Sequence, residues 1–194
     1  MKIFWRYQLR FQELGTWMIA LIFFNSLPTL ACTIDGTQGI VPDNTLNVGI
    51  QDLSASPMTQ ELFNQIIDRA VEAYRPAIEA QGGKLVAIKR WADGKVNAMA
   101  MRNAHLRKVL FYGGIARHSA QTPDGFALVV CHELGHHLGG VPRRSSWSST
   151  EGQADYFATL KCFRKLFAQE QNPVAPNTPR IVTEKCQKSF DSAA

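Results

Sequence analysis

Apolar residues spaced three or four positions apart mark the first long element of the chain. They recur in this way over residues 57–80, which places them on one face of an α-helix. Ser56-Pro57 is typical of a helix start. Pro76 is expected to bend the helix and Gly82-Gly83 to end it. The pattern therefore predicts a helix from about residue 57 to residue 80.

Three shorter segments after this helix have strand character. They are Leu85 to Trp91, Val96 to Arg102 and Leu106 to Tyr112. The second of them alternates apolar and polar positions at its start, as a strand does when one face is buried. Asp93-Gly94 lies between the first two segments and is typical of a tight hairpin turn. We therefore expect a small antiparallel sheet.

Further helices are predicted beyond the strands. Thr122-Pro123-Asp124 supplies a capping residue, a proline in the first turn and an acid near the positive end of the helix dipole. That helix is expected to run to Leu138 and stop at Gly139-Gly140. Another is expected over about residues 150–169, and a short last helix over Val182 to Phe190. Together these elements predict an α+β fold.

The N-terminal segment has the pattern of an export signal. A positively charged start, a short apolar stretch at residues 16–24 and small residues ending at Ala31 follow one another. The apolar stretch is shorter than the ~20 residues that span a bilayer, so cleavage after Ala31 is preferred to an uncleaved anchor. The predicted organisation is a signal peptide at 1–31, an irregular arm at 32–55 and a single domain at 56–194. The protein is expected in the periplasm or outside the cell.

The cysteines are consistent with an exported protein and suggest a possible lipid anchor and a disulfide. Cleavage after Ala31 would leave Cys32 at the new N-terminus, where it could carry a lipid anchor or remain free in a soluble protein. An oxidising compartment favours disulfides. Cys162 with Cys186 is the expected pair, because the prolines between them would let the chain turn back.

Size and charge exclude some classes of function. A chain of 194 residues with 45% hydrophobic residues has the size of a single domain with a core. The formal net charge of +5 includes basic residues of the leader. No basic run interleaved with aromatic residues remains in the domain, so nucleic acid is not an expected partner.

The main candidate for chemistry lies on the helix predicted to end at Leu138. His132 and His136 are four residues apart, so both rings can reach one Zn²⁺ ion from the same helical face, with Glu133 pointing into the same cleft. Glu151 at the start of the next helix can supply the third ligand. Asp155, one turn later, can accept the free ring N–H of His132.

This ligand set is that of a catalytic zinc site, with a fourth position open for water. A structural zinc site would be closed by a fourth side chain, usually a cysteine. Cys131 is the nearest one, but it points about 100° away around the helix from His132. His137 is turned away from His136 by the same angle and is not an expected ligand.

Four short stretches follow one another along the chain: Asn97-Ala98-Met99-Ala100, Gly114-Ile115-Ala116, Cys131-His132-Glu133-Leu134-Gly135-His136 and Glu151-Gly152-Gln153-Ala154-Asp155. Together they resemble the catalytic domain of the HtpX and CAAX-prenyl-protease family of gluzincin metallopeptidases. The resemblance implies a zincin-like fold, with the sheet packed on an active-site helix and a glutamate-bearing helix. It also implies that Glu151 is the third ligand and that the strand with Asn97 and Ala98 borders a polypeptide substrate.

The chain departs from that family in two places. Many members have a long, often membrane-embedded insertion between the second histidine and the glutamate, whereas here residues 137–150 form a short connection. The predicted strand continues as Met101-Arg102-Asn103 where the family usually has Pro-Gly-Gly. The protein would therefore be a minimal, soluble member.

The predicted activity is a zinc-dependent endopeptidase acting on extended or misfolded polypeptides in the cell envelope. Zinc would polarise the substrate carbonyl and the attacking water, and Glu133 would carry a proton from that water to the leaving amine. An extended substrate would add a strand to the sheet edge. The alternatives are a zinc-binding, chaperone-like envelope protein with a latent or occluded site, and hydrolysis of a non-peptide amide. The oxyanion-stabilising residue stays open among His105, His118, Arg143, Arg144 and Tyr156.

Overall fold

The computed structural model describes residues 29–30, 40–41, 44–170 and 184. Most of the predicted signal peptide, together with Cys32 and Cys186, lies outside these residues. So does the predicted last helix, except for Glu184, which is helical. Within the described residues the fold is α+β, as the pattern predicts. Its elements in chain order are β1 (Thr29–Leu30), α1 (Gln60–Glu79), β2 (Lys84–Arg90), β3 (Ala98–Asn103), β4 (Leu106–Tyr112), α2 (Gly113–Arg117), α3 (Pro123–Leu138), α4 (Glu151–Tyr156), a π-helical segment (Phe157–Phe163) and α5 (Arg164–Leu166).

The sheet is mixed, so the antiparallel prediction is wrong in part. Its strand order is β1-β3-β4-β2. β3 is antiparallel to both β1 and β4, but β2 is parallel to β4. Because β4 lies between β2 and β3, Asp93-Gly94 is not the turn of a hairpin. The tight turn joins β3 to β4, and Ala104 in that turn has a φ of 49°.

The connection between β2 and β3 passes over the end of β4. There the N–H of Gly114 donates to the carbonyl of Asp93 at 3.0 Å. A Cβ on Gly113 would lie 1.9 Å from the Trp91 carbonyl oxygen, and one on Gly114 would lie 1.9 Å from that of Gly94. These two glycines are therefore required where the chain leaves β4, since any side chain would overlap backbone.

Helix α1 begins three residues later than Ser56-Pro57 indicates. Its N-cap is Thr59, whose hydroxyl accepts a hydrogen bond from the N–H of Leu62 at 3.2 Å. The hydroxyl of Ser56 instead donates to the carbonyl of Ala116 at 2.8 Å, so it is used to join two parts of the fold. Pro76 lies inside the helix, which continues to Glu79.

The core lies between the sheet and helices α1 and α3. Phe63 of α1 stacks on Phe126 of α3 with ring centroids 5.1 Å apart, and Phe111 of β4 meets the same ring edge-on at 6.1 Å. All three side chains are 0% exposed. This aromatic cluster fixes α3 against both the sheet and α1, which is how the helix with the histidine motif acquires its position.

A disulfide joins Cys131 of α3 to Cys162 of the π-helical segment. The predicted pairing of Cys162 with Cys186 is therefore wrong. Both bonded cysteines are 0% exposed, and their proximity comes from the packing of the last helical elements on α3. A disulfide is compatible with an exported protein. None of the helices in the described part of the chain is long and apolar enough to cross a membrane.

Candidate metal centre

The histidine motif of helix α3 lies in the interior of the protein. The hydroxyl of its N-cap, Thr122, accepts a hydrogen bond from the N–H of Gly125 at 3.0 Å, and Pro123 opens the first turn. Three turns later His132 is 4% exposed, and Glu133 and His136 are 0% exposed. Buried ionisable groups are costly unless they have partners, so the surroundings of these three side chains decide what the site can do.

Helix α4 brings Glu151 to the two rings by packing closely on α3. The closest point is at Gly135, where an added Cβ would lie 2.8 Å from the carbonyl oxygen of Ala154 and 2.9 Å from its Cα. Both of these are backbone atoms, which cannot move aside as a flexible side chain can. The glycine between His132 and His136 therefore lets the ligand-bearing helices meet backbone to backbone.

His132, His136 and Glu151 converge on one point. The Nε2 of His132 lies 3.1 Å from Oε2 of Glu151, and the Nε2 of His136 lies 3.5 Å from the same oxygen. One ligand atom from each of the three residues lies within 4.8 Å of the others. The two buried histidines and the partly exposed Glu151 could hold a metal ion, and they are the three that the spacing in the sequence singles out.

The other nitrogen of each ring has an acceptor. The Nδ1 of His132 lies 2.8 Å from Oδ1 of Asp155, the contact expected from the helical spacing. The Nδ1 of His136 donates to the carbonyl of Ser149 at 3.1 Å, and the hydroxyl of Ser148 is 3.3 Å away. Because both rings carry a hydrogen on Nδ1, both can direct the lone pair of Nε2 towards a metal. The donor set and its tautomers fit a zinc ion.

Burial and neighbouring charges shift the pKa values of the side chains at the site. Burial opposes ionisation of His132, but hydrogen bonds to Glu151 and Asp155 and the charge of Glu133 outweigh it and raise its pKa to about 9. Burial and the neighbouring His132 lower the pKa of His136. Although burial opposes it, the hydrogen bond with His132 and nearby positive charges lower the pKa of Glu151. Metal binding would replace a proton on His132, so protons should compete with the metal.

Asn97 and Ala98, the predicted substrate-binding residues, contact the N-terminal arm. Both are 0% exposed. The side-chain amide of Asn97 donates to the carbonyl of Val41 at 3.1 Å and its oxygen accepts from the Val41 N–H at 3.2 Å. The carbonyl of Ala98 accepts from the N–H of Ile40 at 2.9 Å. A substrate could reach this edge only after residues 40–41 move.

Of the candidate oxyanion donors, Arg144 lies beside the candidate metal-binding group. Its Nη1 donates to Oε1 of Glu151 at 3.1 Å. Arg143, His105 and Tyr156 have exposed side chains. Sequence reasoning missed the roles of Ser148 and Ser149. Ser149 acts through its backbone carbonyl, and Ser148 is one of several serines in its loop, so neither position carries a signal of its own.

His137 has a structural environment of its own. Its Nε2 donates to the carbonyl of Lys108 at 3.1 Å, and its ring stacks on Trp147 with centroids 4.9 Å apart. It therefore connects α3 to β4 and to the loop before α4. This geometry agrees with the expectation that His137 is not a ligand.

Known proteins give no independent indication of family. Comparisons of this chain with protein-family models, with curated proteins and with solved structures found no match.

Proposed function

We propose that this protein is a zinc-dependent endopeptidase with a zincin-like catalytic core. The observation that carries the proposal is the convergence of the Nε2 atoms of His132 and His136 on one carboxylate oxygen of Glu151, while both Nδ1 atoms are engaged elsewhere. Two imidazoles and one carboxylate are the protein ligands of many catalytic zinc sites. The buried carboxylate of Glu133 directly follows the first of these ligands.

Each residue has a distinct role in this proposal. A zinc ion held by His132, His136 and Glu151 would supply Lewis acidity to a substrate carbonyl and an attacking water. Glu133 accepts the proton of that water and delivers it to the leaving amine. Asp155 keeps the His132 ring in the orientation and tautomer that leave Nε2 free for the metal.

The proposed substrate is an extended polypeptide. Backbone hydrogen bonds to a strand edge provide affinity without demanding a particular sequence. In the described structure the edge of β3 already bonds to backbone of the N-terminal arm, through Ile40 at Ala98. The same edge pairs at Met101 and Arg102 with β1, which lies within the predicted signal peptide and would be absent from the mature chain. This edge can therefore accept an extended chain, and substrate would take the place of the arm. We further propose that the protein acts outside the cytoplasm, where its disulfide would persist.

The test uses the purified mature chain and two variants. Glu133→Gln should retain zinc but lose nearly all cleavage of casein, because an amide cannot accept the proton. Glu151→Ala should lose zinc, since two imidazoles alone hold the metal poorly. Glu61→Gln, an exposed position on α1, is the matched control and should behave like the parent. Cleavage by Glu133→Gln at the parental rate would show that the mechanism is wrong.

Burial of the site favours a second candidate, a zinc-binding, chaperone-like protein whose peptidase site is closed. His132 and His136 are nearly or wholly buried, and Asn97 and Ala98 lie under the arm. This protein would bind one zinc ion and suppress aggregation of an unfolded client without cleaving it. Zinc-loaded parent that cleaves casein and loses this ability in 1,10-phenanthroline would exclude the closed form.

A further inference from the structure

The two oxygens of the Glu151 carboxylate have different partners. Oε2 lies towards the rings, 3.1 Å from Nε2 of His132 and 3.5 Å from Nε2 of His136. Oε1 accepts a hydrogen bond from Nη1 of Arg144 at 3.1 Å. A carboxylate held from both sides cannot rotate freely about its last bond. The arrangement therefore assigns one oxygen to the cluster and the other to the guanidinium.

Arg144 is itself held by the loop that connects the two ligand-bearing helices. Its N–H donates to the carbonyl of Ser148 at 2.8 Å. At the end of the loop the N–H of Ser149 donates to the carbonyl of His136 at 3.0 Å, and that of Thr150 donates to the carbonyl of Pro142 at 3.0 Å. The side chain of Arg144 is 25% exposed. The backbone that carries Arg144 is thus hydrogen-bonded within the same loop that joins His136 to Glu151.

We propose that Arg144 is a positioning residue for the metal ligand Glu151, restraining Oε1 so that only Oε2 is available to the metal. The inference rests on the proposed metal site and adds a determinant of how that site binds. A carboxylate that binds through one oxygen leaves room for water and substrate beside the three protein ligands. Without Arg144, the carboxylate could turn away from the metal or offer it both oxygens.

The experiment measures metal binding rather than turnover. Metal-free parent, Arg144→Ala, Arg144→Lys and Arg143→Ala are titrated with Co²⁺, whose visible absorption reports the number and kind of its ligands. Affinity for Zn²⁺ is measured by competition with a chelating dye. Arg143 is the matched control, because it is the neighbouring arginine of the same loop and its side chain is exposed. The thermal midpoint of each metal-free variant reports folding.

Arg144→Ala should bind zinc ~10- to 100-fold more weakly, the size of effect expected for a partner of a metal ligand, and its Co²⁺ spectrum should change. Arg144→Lys should recover part of the affinity, because it restores the charge without the fixed geometry of a guanidinium. Arg143→Ala should match the parent. An unchanged affinity and spectrum in Arg144→Ala would overturn the inference. If that variant does not fold, an Arg144→Lys variant with parental affinity and spectrum would do the same.

The outcome is separable from that of the proposed function. If the parent binds metal but cleaves no peptide, the peptidase proposal fails and the role of Arg144 is still decided by affinity and spectrum. If the parent binds neither Zn²⁺ nor Co²⁺, or if Glu151→Ala binds as tightly as the parent, the metal site is wrong and the inference about Arg144 is overturned with it.

Discussion

At the scale of single residues, the two histidines of the candidate metal centre are oriented by different kinds of partner. The Nδ1 of His132 bonds to the Asp155 carboxylate, whose side chain is 70% exposed. The Nδ1 of His136 bonds to the backbone carbonyl of Ser149, which no substitution removes. The contribution of ring orientation to metal affinity can therefore be measured at Asp155.

Asp155→Asn is predicted to weaken metal binding by ~10- to 100-fold while the fold is kept. The amide has the shape of the carboxylate and can still accept a hydrogen bond, but it lacks the charge that strengthens the one from His132. Chelator competition measures the affinity, and circular dichroism the fold. Asp124→Asn, on the exposed first turn of α3, serves as a control for the loss of one negative charge. Equal affinities in the two variants would remove Asp155 from the site.

A second prediction at this scale concerns acid stability. Burial, together with the charges of Arg107, His136 and Arg102, lowers the pKa of His137 to about 3, whereas an unfolded histidine titrates near 6.5. The unfolded chain thus binds a proton that the folded one does not. This contribution to stability is complete above about pH 6.5 and is lost as the pH falls towards 3. At pH 5 the loss should be about 2 kcal/mol in the free energy of unfolding.

Urea unfolding at pH 7 and pH 5 measures this loss. The comparison variant is His137→Phe, which keeps a ring on Trp147 but cannot take up a proton. It should be less stable than the parent at pH 7, because it loses the hydrogen bond to Lys108, yet its stability should fall less between the two pH values. Parallel losses in both proteins would place the acid sensitivity elsewhere.

At the scale of the elements, the decisive contact is the one between α3 and α4. A Cβ at Gly135 would overlap backbone of Ala154. Gly152 lies on the exposed side of α4, and a Cβ added there would have no atom within 4 Å. The two glycines therefore form a matched pair, one required by packing and one not.

Gly135→Ala is predicted to push α4 away from α3, costing about 1–3 kcal/mol of stability through overpacking and lowering zinc affinity because Glu151 moves with α4. Gly152→Ala should leave zinc affinity unchanged and stabilise the protein by up to about 1 kcal/mol, since alanine favours the helix. Chemical denaturation and metal competition on both variants test this. A Gly135→Ala protein with parental zinc affinity would contradict the assignment of Glu151 to the site.

At the scale of the whole molecule, the disulfide between Cys131 and Cys162 joins α3, the helix with the histidine motif, to the π-helical segment that follows α4. The bonded cysteines are 31 residues apart in sequence. The loop that they close contains both histidines of the candidate site, the connecting loop and Glu151. In the unfolded chain the cross-link therefore limits the conformations of this segment, which must become ordered to form the site.

Reduction of this bond is predicted to lower the free energy of unfolding by about 3–4 kcal/mol, the loop-closure value for a ring of this size. Denaturation of the metal-free protein with and without a phosphine reductant measures the difference. The double variant Cys131→Ala/Cys162→Ala should resemble the reduced protein and should not respond to the reductant. A parent that is equally stable under both conditions would show that the bond does not form.

Local patterns in the sequence were enough to predict the types of the main elements and the residues of the candidate metal cluster. Helical periodicity and capping residues are local signals, so α1, α3 and α4 occur close to where the pattern places them. The spacing of His132 with His136, and of Glu151 with Asp155, is also local, because one helical turn separates the members of each pair. Those pairs could be identified before any tertiary contact was known.

How these elements are paired and joined depends instead on contacts between distant parts of the chain. The insertion of β4 between β2 and β3 makes the sheet mixed, and the packing of the π-helical segment on α3 selects Cys131 as the partner of Cys162. The arm over Asn97 and the guanidinium of Arg144 at Glu151 are likewise long-range contacts or contacts made through a loop. Local preference does not encode such contacts, because their free energy arises only when distant segments bury surface or exchange hydrogen bonds with each other.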